Sequence, residues 1–165
     1  MWSTRSVNNI LVNGCGQKRR TASAQGMITG FAASPCVDMV AGEAAEAYTY
    51  EDAGKKGPPL ERFTRTLLFI KPDCVVVFDR LEAKAPSLFT FYLHAVNKFS
   101  TPGQQNISIE NGGVVCDINL LRPANLALSQ TGQYDPNPRP RIKLREWHLK
   151  ADTKKKQKDM MKRRR

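Results

Sequence analysis

The stretch Leu67-Leu68-Phe69-Ile70-Lys71-Pro72-Asp73-Cys74-Val75-Val76-Val77-Phe78-Asp79 constrains this chain more than any other. Two apolar runs flank Lys71-Pro72-Asp73. Proline presets φ for the first central position of a tight turn, and aspartate suits the second. Short apolar runs rich in valine and phenylalanine, bounded by turn residues, read as strands. The segment therefore predicts a tight hairpin in the middle of the core. Its runs are unbroken rather than alternating, which places both strands centrally, between two covering layers. Just upstream, Phe63, Arg65 and Leu67 alternate with Thr64, Thr66 and Leu68. That is the pattern of a strand entering the core from a half-exposed edge.

The same grammar recurs along the chain. Apolar or alternating runs cover residues 9–12, 27–31, 88–93, 107–109, 114–121, 126–128 and 142–149. Turn residues separate them at Asn13-Gly14, Gly57-Pro58-Pro59, Pro102-Gly103 and Asn111-Gly112-Gly113. The last of these predicts a second hairpin, between Ile107-Ser108-Ile109 and Val114-Val115-Cys116. Residues 129–141 hold three prolines and no apolar pattern, and read as a surface loop. No window of about 12 residues carries a clean helical stripe. Ala41 to Tyr48 fits one or two helical turns or a strand. Many short strands with frequent turns define an all-β chain: a multi-stranded antiparallel β-sandwich of large layered sheets.

Length and charge refine the organisation. A chain of 165 residues is the size of one domain and can bury a core without disulfides or metal. Its net charge of +11 is concentrated at one end. Residues 154–165, KKKQKDMMKRRR, carry +7 and the other 153 residues carry +4. The reading is a sheet domain over residues 1–153 and a disordered basic tail over residues 154–165. No apolar run approaches the roughly 20 residues that span a bilayer, so no membrane span is expected. The first residues show no basic segment followed by an apolar one, so no signal peptide is expected.

The chemistry-bearing residues are few. Cys15, Cys36, Cys74 and Cys116 form no CxxC pair, which argues against a zinc ribbon or a thioredoxin site. Cys74 and Cys116 lie inside apolar strands and read as small core residues. Gly14-Cys15-Gly16 reads as a glycine turn after a strand. No GxSxG, HExxH, Walker or GxGxxG pattern occurs. The histidines are His94, on a strand face shared with Thr90 and Tyr92, and His148 in Glu146-Trp147-His148-Leu149. Both read first as hydrogen-bonded structural histidines and second as site candidates. Two histidines on separate strands make no metal site without carboxylates nearby, so no metal and no cofactor is expected. Arg139, Arg141, Lys143 and Arg145 alternate along one predicted strand, with Ile142 and Leu144 on its other face. That alternation reads first as a solvated strand face and second as a basic stripe, which together with Lys154, Lys155 and Lys156 would bind a polyanion by counterion release. An acidic polysaccharide is the candidate partner for such a stripe. Nucleic acid ranks last, because no aromatic platform or recognition helix accompanies the basic run.

Several segments, in order, resemble one family. They are Val7-Asn8-Asn9-Ile10-Leu11-Val12-Asn13-Gly14 with Gly16-Gln17, then Phe31 through Tyr48. Phe63 to Asp73 and Val75 to Asp79 follow, then Leu93-His94-Ala95 and Glu146-Trp147-His148-Leu149. Over roughly residues 5 to 153 the order is similar to the C-terminal β-sheet domain of heparinase II/III-like polysaccharide lyases. The resemblance implies layered β-sheets, normally preceded by an α/α toroid, and β-elimination on uronic-acid polysaccharides. That reaction needs a base for the C5 proton and a group to neutralise the carboxylate. The family supplies them mainly from the toroid and the segment joining it to the sheet, so no catalytic residue is carried over. Relatives commonly have His-Asn before the first apolar strand, where this chain has Val7-Asn8. His94 and His148 match in position, without an assigned role. After Trp147-His148-Leu149 a relative continues with further strands, and here a lysine/arginine run follows. The expectation is a partial, non-catalytic sheet portion of such a lyase, inactive alone, with an upstream toroid as partner. By resemblance it would be periplasmic or secreted. The alternative is a stand-alone module that binds acidic glycans.

Overall fold

The structure, a computed structural model, describes residues 3–49, 51–52, 55–57, 60–133 and 146–153. Its strands, in chain order, are β1 (Ile10–Val12), β2 (Met27–Ala33), β3 (Val37–Glu43), β4 (Glu51–Asp52), β5 (Lys55–Lys56), β6 (Leu60–Ile70), β7 (Cys74–Ala83), β8 (Phe89–Ala95), β9 (Asn106–Asn111), β10 (Val114–Asn119), β11 (Ala127–Thr131) and β12 (Trp147–Asp152). Every strand pairing is antiparallel. The protein is all-β, as its turn-rich apolar runs predict. The chain forms two compact units: Gln17–Ala85, and Met1–Gly16 with Pro86–Arg165.

In the unit Gln17–Ala85, four strands form a sheet in the order β2-β3-β6-β7. The hairpin expected at Lys71-Pro72-Asp73 joins β6 to β7, with Ile70 opposite Cys74 at its tip. Its Lys71–Pro72 bond is cis. Of the two strands expected to be central, β6 is interior, while β7 is an edge strand. Cys74 is exposed rather than buried, because it begins that edge strand beside the turn. Ala41 to Tyr48 splits between the two conformations it fits. β3 runs to Glu43, and a single 3₁₀ turn occupies Ala45–Tyr48. Glu43 holds the junction: its Oε1 accepts from the backbone N–H of Ala45 at 2.8 Å and of Phe63 at 3.1 Å.

Residues directly opposite each other in antiparallel strands share a face. One face of this sheet carries the cross-strand row Phe31, Val40, Leu67, Val77 and, beside it, Ala33, Asp38, Phe69, Val75. Farther along the same face stand Arg65 with Asp79 and Phe63 with Leu81. There the 3₁₀ turn supplies a cover. Tyr48 is fully buried, with its ring edge-on to Phe63 at 5.4 Å. Arg65 stacks over Phe63 at 5.7 Å and grips Asp79 with two bonds of 2.6 and 2.7 Å. The cover stops at this ion pair. Beyond it Phe31 is 74% exposed and Val75 is 61% exposed. The opposite face is also apolar toward the hairpin tip, through Val37, Ile70, Leu68, Val76 and a 63% exposed Phe78.

In the other unit the sheet order is β1-β8-β12-β11. β8 and β12 alternate strictly. Phe91, Leu93 and Ala95 pair with Ala151, Leu149 and Trp147 on one face. That face packs on Phe99 and on Ile107, Ile109, Ile118 and Leu120 to make the core. Burying a leucine or isoleucine there contributes about 1.5–3 kcal/mol each. Ile107 and Ile118 belong to the predicted second hairpin, β9 with β10. Its connection is Gly112-Gly113, at φ +59° and +80°. Both residues at positive φ is the two-residue turn whose twist suits a hairpin. Cys116 lies toward the tip, opposite Ile109 and beyond the Ile107–Ile118 pair, so it is exposed and not a core residue. The glycine turn expected near Cys15 forms at Asn13-Gly14, both at positive φ, closed by the Val12–Cys15 pairing. Ser129, Gln130 and Thr131, expected in a loop, extend β11 instead, because Lys150, Leu149 and His148 pair with them.

Candidate functional site

The second face of β8 and β12 is polar. Asp152 stands opposite Thr90, Lys150 opposite Tyr92, and His148 opposite His94. The strict alternation that sends Leu149 and Ala151 to the core sends these residues to the other side. Thr90 donates through Oγ1 to Asp152 Oδ1. Lys150 Nζ lies 5.8 Å from the Tyr92 ring centre. The two histidines named from sequence are thus brought face to face, with ring centres 5.9 Å apart. Tyr92 stacks against both, at 5.9 Å from His94 and 6.1 Å from His148.

His94 ties the start of the chain to this ladder. Its backbone N–H donates to Asn8 Oδ1 at 2.8 Å, and its Nε2 lies 2.8 Å from the Arg5 carbonyl oxygen. A carbonyl oxygen only accepts, so Nε2 carries the proton. Nδ1 lies 3.1 Å from the same Asn8 oxygen. The Tyr92 N–H adds a bond to the Asn9 carbonyl at 2.9 Å. A second proton on Nδ1 would complete a donated bond to Asn8. Burial opposes that charge and holds His94 below its ordinary value of 6.5, against the pull of the Arg5 carbonyl and the Glu146 carboxylate.

His148 is only 4% exposed. Burial is the main cause that lowers it too, and the positive charges of His94 and Lys150 add to the effect, against Glu146. Its Nδ1 is buried and makes no hydrogen bond among the described residues, while the ring is held by its stacking neighbours. At both positions burial therefore favours the neutral imidazole. One is committed to main-chain oxygen and the other is enclosed. The arrangement anchors the segment around Arg5 and Asn8.

A second feature is an open cleft of about 800 Å³ lined by Val96, Lys98, Gln133, Glu146 and Trp147, among others. Lys98 Nζ stands over the Trp147 ring at 5.4 Å. The Gln130 amide on its wall is spent on the Phe99 backbone, accepting from its N–H at 3.1 Å and donating to its carbonyl at 2.9 Å. Among the described residues no group of three or more His, Cys, Asp or Glu is placed to hold a metal ion, and no helix is long and apolar enough to cross a membrane.

Arg139, Arg141, Lys143, Arg145, Lys154, Lys155 and Lys156 all lie outside the described residues. Sequence reasoning placed His94 with Thr90 and Tyr92 but missed Asn8, Glu146 and Lys150 around it. The signal was present: Glu146, His148, Lys150 and Asp152 alternate with Trp147, Leu149 and Ala151. Compared with known proteins, the chain matches no family model, and no curated protein matches it.

Proposed function

We propose that this chain is the non-catalytic layered-sheet portion of a heparinase II/III-like polysaccharide lyase, with β-elimination carried out by the α/α toroid of the complete enzyme. The observation that carries the reading is the sheet β2-β3-β6-β7, apolar on both faces toward its hairpin tip. A sheet of that kind is a layer suited to lie between two others, since antiparallel sheets that end at solvent keep one polar face. The histidine ladder agrees with a supporting role. Its contacts run to the Arg5 carbonyl, to Asn8 and to the Tyr92 ring, as a supporting role asks of them.

Two experiments test the reading. The purified chain, incubated with heparin-type glycans and with alginate, forms no unsaturated product, as read by absorbance of the new C4–C5 double bond. Clear product would overturn the claim that it is inactive alone. Membership in the lyase is tested in the DNA. A toroid-coding sequence upstream, in frame or one frameshift away, is the expected finding. A promoter and start site directly before Met1 would refute it.

A further inference from the structure

We propose that the bare half of one sheet face in the unit Gln17–Ala85 is an interface for a second copy of this chain. The surface is the row Phe31, Val40, Leu67, Val77 with Phe69 and Val75 beside it. The other half of the same face is closed by the turn carrying Tyr48, so the bare half forms a shelf bounded by the Arg65–Asp79 pair.

Local charge at the shelf does not oppose a like partner. On this shelf the charge is Asp38, and Lys71 Nζ neutralises it at 2.9 Å. At the inner border Arg65 is bound by Asp79. Two copies meeting here therefore oppose no bare like charges, the usual bar to self-association. Area is adequate. Phe31, Val75, Val77, Phe69 and Leu67 are 74%, 61%, 46%, 38% and 36% exposed. With about 150–200 Å² per full side chain they leave about 450 Å² open, the size of the largest apolar patch on a monomer, which is often functional. A pair would cover about 900 Å² from these ten side chains, before rim atoms, which is the size of a weak, reversible interface.

Geometry suits the pairing as well. Two sheets pack face to face about 10 Å apart with strands within about 30° of each other. A two-fold axis through the shelf gives that arrangement with the same residues on both sides. The second copy would be the layer on this face, and the opposite face, around Phe78, is no part of the dimer. The dimer does not depend on the lyase reading and can fail without it.

The test is molar mass by light scattering across a dilution series. The expected value at high concentration is near twice the 18.5 kDa of one chain. Phe31→Lys and Val75→Lys, both at exposed positions, should each give monomer with an unchanged far-ultraviolet circular dichroism spectrum. Phe78→Lys, on the other face, should leave the dimer intact. A monomeric wild type would overturn the proposal. So would a dimer that survives both shelf substitutions, or one that Phe78→Lys disrupts as strongly.

Discussion

At the scale of single residues, His94 and His148 make stability depend on pH in a definite direction. Both are held below 6.5 in the folded chain, chiefly by burial. In the unfolded chain they titrate near their ordinary value. Between the two values the unfolded state binds more protons, so stability falls as pH drops through 6.5. The loss is complete below the folded values. Melting temperature, followed from about pH 8 to about pH 5, should therefore fall toward acid. His148→Gln should flatten that slope, even though it lowers the plateau. A melting temperature that rises on acidification would show that Nδ1 of His94 gains more from Asn8 than it loses to burial. That the two rings meet is not legible in the sequence. It depends on the register between β8 and β12, which lie far apart in the chain, and no local pattern encodes it. The face each histidine occupies is legible, because alternation alone determines it.

At the scale of elements, turn chemistry decides what could be read. Lys71-Pro72-Asp73 and Asn111-Gly112-Gly113 specify their hairpins locally, and both form. β3 offers no such signal. Val37-Asp38-Met39-Val40-Ala41-Gly42-Glu43 contains an aspartate and a glycine, residues poor in strands, and it is a strand because β2 and β6 pair with it on both sides. Ser129 to Thr131 are extended for the same reason, through β12. The glycine turn of β9 and β10 gives a clean experiment. A Cβ at Gly112 or Gly113 would meet nothing within 4 Å, so the cost of a side chain is conformational only. Gly113→Ala should cost about 1–2 kcal/mol in chemical denaturation, the penalty of an ordinary residue at positive φ. Gly112→Asn should cost only a few tenths, since asparagine tolerates that region. Equal costs at the two positions would mean that the turn has another form in solution.

At the scale of the whole molecule, the two units are unequally protected. β8 and β12 are both interior strands, and their apolar face is closed by Phe99 and the β9–β10 hairpin. β3 and β6 are interior too, but their cover is confined to the end near Tyr48. Amide hydrogen exchange reports this difference as local opening free energy. In the Phe31→Lys variant, amides of β3 and β6 should exchange before those of β8 and β12, and the reverse order would contradict the account of the bare faces. All-β character is legible throughout the chain. The want of a cover is not, because an apolar run looks the same whether or not a partner layer rests on it. One further consequence follows from the strict alternation of β8 and β12. Inserting or deleting one residue in either strand would turn Leu149 and Ala151 toward the polar side and drive imidazole and ammonium groups into the core. Over evolutionary time these strands can accept point changes but not changes of length. Drift in length is left to the segments that connect them.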